Sequence, residues 1–179
     1  MVYIISLTLL VALGAWVVAS YLRLFHLYER VQCAWLLWHR ATLRRNECLL
    51  DFATQFAAYL PAGDVLPRDL HRWTQDSGRA LEATPTAPKE GNFRTIAMAE
   101  RYLRRAVSYS VHTLETTQNM QQDAQLLSLC SAMSDSLYRQ DEQMLLYKRS
   151  AKEYNSALHS PGVGIVAGIF GFSPVAVGQ

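Results

Sequence analysis

From Ala15 to Leu60 the chain carries neither glycine nor proline, and the front of that run lies inside an uncharged apolar segment, Met1–Leu22. Together these two facts constrain the fold more than any other feature. A helix needs about 20 apolar residues to cross the hydrocarbon core of a bilayer. Met1–Leu22, rich in Leu, Ile, Val and Ala, meets that length, and Gly14 is tolerated within such a span. Nothing interrupts a helix until Pro61, so the span is expected to run straight on into the rest of the protein. A cleaved signal peptide is the competing reading, because Val18-Ala19-Ser20 resembles a cleavage site. Against it, no Lys or Arg precedes the apolar run, and the run exceeds the roughly 7–15 residues of a signal-peptide core. The flanks set the orientation: Arg23, Arg30, Arg40, Arg44 and Arg45 all lie after the span. The positive-inside rule then places the N-terminus outside and the remainder in the cytoplasm.

Proline and glycine divide the rest of the chain. Leu27, Val31, Ala34, Trp35, Trp38 and Ala41, then Leu49, Phe52, Ala53, Phe56 and Leu60, recur on one stripe at helical spacing. Pro61-Ala62-Gly63-Asp64 ends that helix. Pro67 and Asp69 suit the first turn of a second helix, expected from Arg68 to near Ala83 and weakened by Gly78. Thr84–Asn92 (TPTAPKEGN) reads as a loop. Phe93–Ser160 again lacks glycine and proline, yet a single helix of that length does not suit a compact domain. A turn is therefore expected within Thr116–Met120, where the apolar stripe lapses. A third helix over Phe93–Glu115 would turn Phe93, Ile96, Leu103, Val107, Val111 and Leu114 inward.

The cleanest pattern belongs to the fourth helix. Leu126, Cys130, Met133, Leu137, Gln140, Met144, Tyr147, Ala151, Tyr154 and Leu158 alternate by four and three residues, a heptad seam with one polar interruption at Gln140. Gln140 either sets the register of the packing or faces solvent at a helix crossing. No segment reads as a strand. The expected fold is all-α: a membrane helix (1–22) continuing into an antiparallel bundle of about four long helices (23–160), then an apolar tail (161–179).

Composition excludes several function classes. The 179 residues carry a formal net charge of only +2 and half are hydrophobic, so the basic excess of a nucleic-acid binder is absent. Cys33, Cys48 and Cys130 are an odd number with no CxxC pair, and read as buried, reduced thiols in a reducing compartment. His26, His39, His71, His112 and His159 form no pair at helical metal-ligand spacing, and no phosphate-binding or nucleophile motif occurs. No catalytic, metal or cofactor site is expected. Arg44-Arg45 and Arg101/Arg104/Arg105 read as a solvated face, as pairs with neighbouring carboxylates, or as contacts to anionic lipid head groups.

Two blocks carry a family resemblance. ERVQCAWLLWHRATLRRNECLLDF, with Val31, Ala34, Trp35, Leu43, Arg44, Arg45 and Leu49, resembles the first block of the bacterial LemA family. YKRSAKEYNSALHSPGVGIVAGIFGF, with Tyr147, Tyr154, Asn155, Leu158, Ala167, Phe170, Gly171 and Phe172, is similar to its closing block. Lys148 stands where the first Tyr-Asn pair has Asn, Ser160-Pro161 replaces an aromatic-Pro pair, Leu50 replaces a proline, and the middle shows little likeness. The resemblance implies a long-helix bundle on one N-terminal membrane helix in the bacterial inner membrane, with no known catalytic activity.

These readings lead to a non-enzymatic, membrane-anchored scaffold, an accessory subunit of a larger membrane assembly. Its expected partners are lipid and either an integral-membrane protein or a second copy. The alternative is a membrane-tethered signalling or ligand-binding accessory that uses an inter-helix cleft. After His159 no side chain can be charged. The stretch Ile165, Val166, Ala167, Gly168, Ile169, Phe170, Gly171 and Phe172 is too short for a second span and is expected to contact the membrane or a partner.

Overall fold

The computed structural model describes residues 2–177; Met1 of the expected anchor and residues 178–179 of the tail lie outside the described residues. Every regular element among the described residues is helical: α1 (Val2–Ala57), α2 (Val65–Glu82), α3 (Glu90–Thr116), α4 (Gln118–Gln121), α5 (Ala124–Leu158) and α6 (Val163–Phe170). α1 is one unbroken helix of 56 residues. Its first part is long and apolar enough to cross a membrane, with an 18-residue stretch of mean hydropathy 2.1 that is almost wholly exposed.

The ends of the helices reflect local chemistry. α1 closes through tighter i→i−3 bonds, Ala58 N–H to Gln55 O and Tyr59 N–H to Phe56 O, just before Pro61. Gly63 then supplies a positive φ of 95°. α2 begins three residues earlier than expected because the Asp64 carboxylate accepts from Leu66 N–H at 2.9 Å. The break expected within Thr116–Met120 falls at Thr117, whose extended backbone separates α3 from the single turn of α4. Asp123 then caps α5, accepting from Gln125 N–H at 2.8 Å and Leu126 N–H at 3.1 Å.

α1 lies along α5, packs on α2, and holds α6 against its apolar part; α2 packs on α3. Pairs across α1 and α5 run in reverse order. Arg30 meets Glu153, Thr42 meets Gln140 and Tyr59 meets Asp123. Two apolar clusters result. The one nearer the apolar segment holds Leu24, Val31, Trp35, Trp38, Phe93, Ile96, Tyr147 and Tyr154; the far one holds Leu49, Phe52, Phe56, Leu70, Leu103, Leu126 and Met133. On α5 the seam residues Leu126, Met133, Gln140, Tyr147, Ala151, Tyr154 and Leu158 are buried. Cys130, Leu137 and Met144 are half-buried at its margin.

Candidate functional site

Between the two apolar clusters lies a layer of buried polar groups. Each helix contributes from a line of residues spaced by seven. On α1 the line is Val31, Trp38, Arg45, Phe52; on α3 it is Phe93, Glu100, Val107, Leu114; on α5 it is Met133, Gln140, Tyr147. α2 adds Ser77, seven residues after Leu70. Arg45 is fully buried, so it neither touches lipid nor belongs to a solvated face; only Arg44 of that doublet is exposed. Gln140 is buried too, which removes the solvent-facing option for it. Burial results from register, since one polar residue replaces an apolar one at the same level of each inward line.

The layer satisfies its own hydrogen bonds. The Arg45 guanidinium donates to both Glu100 oxygens, to Gln140 Oε1 at 2.9 Å, to Asn46 Oδ1 at 2.7 Å and to Ser77 Oγ at 3.2 Å. Ser77 Oγ donates to Glu100 Oε1 at 2.7 Å, and Gln140 Nε2 donates to Glu100 Oε2 at 3.0 Å and to Thr42 Oγ1 at 3.2 Å. Burial pushes the Glu100 carboxyl up, but Arg45, then Gln140 and Ser77, outweigh it and hold it below the usual carboxylate range. A buried pair adds little net stability over a well-packed apolar one, but removing one partner is strongly destabilising.

At the edge of this layer a cleft of about 390 Å³ opens between α3 and α5, floored by Trp38, Glu100 and Gln140 and flanked by Phe93 and Met144. The Trp38 indole N–H is buried and meets no acceptor among the described residues. Arg104 crosses the mouth to Asp141, and this bond raises its pKa further. Arg101 and Lys148 complete the rim. No group of three His, Cys, Asp or Glu side chains able to hold a metal occurs among the described residues. The thiols differ from expectation: Cys33 is exposed, and Cys48 and Cys130 are half-buried, because they sit at the edges of their helix stripes.

The tail is built differently from an apolar plug. Residues 163–170 form α6, Gly171 turns the chain with a φ of 73°, and the residues after it run back across α5. Tyr154 Oη donates to Ser173 O at 3.0 Å, and Tyr147 Oη to Ala176 O at 2.6 Å. Asn155 pairs with Val175 twice, Nδ2 donating to Val175 O at 2.8 Å and Oδ1 accepting from Val175 N–H at 3.1 Å. Ala176 N–H reaches Pro88 O at 2.9 Å. Burial raises the Tyr147 pKa; burial, then Tyr28, pushes Tyr154 up to about 12. The motif positions Tyr147, Tyr154 and Asn155 thus clasp the chain's own end.

The other positions from the two blocks divide by face. Val31 and Trp35 are buried, with Trp35 Nε1 donating to Thr84 O at 3.2 Å. Val166 and Ala167, expected to face outward, are buried against the protein itself because α6 lays that side on α1 and α5. Phe172 is half-buried, its ring 5.7 Å from Tyr21. Ile165, Gly168, Ile169 and Phe170 are exposed. The heptad register of Arg45 and Glu100 was a signal in the sequence for the polar layer; nothing there announced the clasp. Comparison with protein-family models, with curated proteins and with solved structures finds no match for this chain.

Proposed function

We propose that this is a single-span membrane protein whose four long helices form an antiparallel bundle with no catalytic role, serving as a scaffold or accessory subunit in a larger membrane assembly. One observation carries the reading. The bare apolar part of α1 and the outer face of α6, with Ile165 68%, Ile169 70% and Phe170 50% exposed, form one continuous apolar surface. α6 lies beside Trp16 and Tyr21, inside the length of the span, and at about 12 Å it is too short to cross a bilayer. Such a position would suit contact with a neighbouring transmembrane helix at the bilayer edge. The reverse-order pairs between α1 and α5 support the antiparallel arrangement. The basic flank after Leu22 supports an N-terminus outside and a cytoplasmic bundle. Membership of the LemA family is part of the same proposal; it is supported by the shared role of Tyr147, Tyr154 and Asn155 in holding the closing block.

A photo-crosslinking residue at position 169 in native membranes tests the reading. Capture of an integral-membrane protein or a second copy is expected. Adducts to lipid alone, with the protein a strict monomer in mild detergent, would sink it. A second reading, a ligand-binding accessory, is favoured by the cleft over Trp38, whose indole N–H is left to donate to an incoming acceptor. Quenching or shifting of the Trp38 emission by a small carboxylate ligand, lost in Trp38→Phe, would select that reading.

A further inference from the structure

On the opposite edge of α5 from the tail clasp, a groove of about 780 Å³ runs between α1 and α5 just past the apolar segment. Its walls carry Arg23 and Arg30 from α1 and Arg149 and Lys152 from α5, against a single carboxylate, Glu153. Glu153 is already engaged, 3.3 Å from Arg30 and 3.3 Å from Arg149. Arg23 and Lys152 have no carboxylate within ion-pair distance among the described residues. Four cations facing one shared acid leave the groove strongly positive. Its floor, by contrast, is apolar, formed by Leu27 and Ala157, and Ser156 and Ser160 stand at the end nearest α6.

We infer that this groove binds the phosphate of an anionic phospholipid from the leaflet that α1 leaves. The inference rests on the reading of α1 as a membrane span. Under that reading Arg23 stands at the hydrocarbon boundary, and Arg30 lies about 10 Å further along the axis at 1.5 Å per residue. The headgroup layer is roughly 5–8 Å deep on each side. The groove therefore begins at the depth of lipid phosphates and ends at their outer edge. The lipid phosphate sits between Arg23 and Lys152, with Arg30 and Arg149 fixed by Glu153 as outer donors. The serine hydroxyls and the apolar floor take the glycerol, and the acyl chains pass down beside the exposed face of the span. A zwitterionic lipid brings its own cation into this positive field and is disfavoured. Long basic side chains reach such a depth while their stems cover apolar surface.

The test uses the full chain in detergent, offered equal amounts of phosphatidylglycerol and phosphatidylcholine with identical acyl chains. Retained lipid is read by native mass spectrometry. Phosphatidylglycerol should be retained about thirtyfold over phosphatidylcholine, from about 1 kcal/mol of attraction for each of the two basic residues substituted next. Arg149→Gln combined with Lys152→Gln should bring the ratio near one without moving the melting temperature, since both side chains are exposed. Equal retention by the unmodified protein, or a preference that survives the double substitution, overturns the inference. Displacement of the lipid by millimolar glycerol phosphate overturns the lipid source and makes the groove a site for soluble phosphates. Alkaline carbonate extraction of native membranes tests the span separately. Release of the protein by carbonate sinks the span reading, whereas retention by the membrane with equal lipid retention sinks the groove alone.

Discussion

Replacing Glu100 by glutamine removes one charge from the polar layer and keeps its shape. In the native protein Glu100 accepts from Arg45, Ser77 and Gln140, and Arg45 is wholly excluded from solvent. Glutamine offers one acceptor oxygen and turns an NH2 group towards donors, so Arg45 keeps a buried charge with no counter-ion. Removing one partner of a buried ion pair costs about 3–5 kcal/mol, a large share of the roughly 5–15 kcal/mol that holds a domain folded. The assay is urea unfolding of the full chain in detergent, monitored by the emission of Trp35 and Trp38, which are buried next to the layer. Arg45→Met combined with Glu100→Leu removes both charges together. That variant should lie within about 1 kcal/mol of the native protein or above it. If Glu100→Gln costs less than about 1 kcal/mol, the buried-pair argument is wrong.

The same carboxyl sets a pH dependence. Its folded pKa lies below the unfolded value of about 4.3. The unfolded chain therefore binds the proton first, and the stability this group contributes is fully present above that value. It is lost as the pH falls from there through the folded pKa. Glu100→Gln should have lost this component of acid sensitivity, and a slope equal to that of the native protein below about pH 4.3 would contradict the assignment.

Three further outcomes concern the tail and its docking. At Gly162 (φ +83°) an added Cβ would lie 2.9 Å from the Trp16 ring, whereas at Gly168 it meets nothing within 4 Å. Gly162→Ala should weaken α6 docking by about 1–3 kcal/mol, seen as faster amide exchange in residues 163–170, while Gly168→Ala should leave exchange equal or slower. Equal effects at the two sites would refute the docking. Asn155→Ala removes both bonds to Val175, so protection of the Val175 amide should fall about tenfold or more; unchanged protection would mean the clasp does not hold in solution. In ultraviolet titration Tyr154 should ionise only near pH 12, because its folded pKa is raised to about 12. Its neutral form supports the fold below the unfolded value of about 10, and that support is lost as pH rises through the folded value. A Tyr154 that titrates with the free phenols would contradict its burial.

The helices were legible because their ends are punctuated by Pro61, Gly63 and the prolines of the expected Thr84–Asn92 loop, of which α3 takes residues 90–92, and because Leu126 to Leu158 keeps a strict heptad. The turn at Thr117 was legible as a lapse in the apolar stripe. Beside the exposed Arg44 a doublet suggests one surface, so of its three readings only pairing with a carboxylate holds for Arg45. Its register with Val31, Trp38 and Phe52 was the better guide, and Glu100 stands in the same relation to Phe93 and Val107. Val166 and Ala167 could not be told from Ile165 and Ile169 by composition, since α6 is apolar all round and only packing chooses its inner side. The clasp was invisible because it depends on backbone groups of residues 173–176, which a sequence of side chains does not display.

The clasp also orders events in time. A chain is made from its N-terminus, so α1 precedes the rest, and domains generally form as they emerge. Val175 and Ala176 belong to the cluster nearer the apolar segment, yet they are joined 20 and 29 residues after the α5 side chains that hold them. Tyr147, Tyr154 and Asn155 can take their partners only after residues 173–176 have left the ribosome. Until then the cluster around Trp35 and Tyr147 stays open on that side. A product that stops before Ser173 would form α1 and α5 but never close this cluster, and a protease that reads loose segments would recognise it as unfinished.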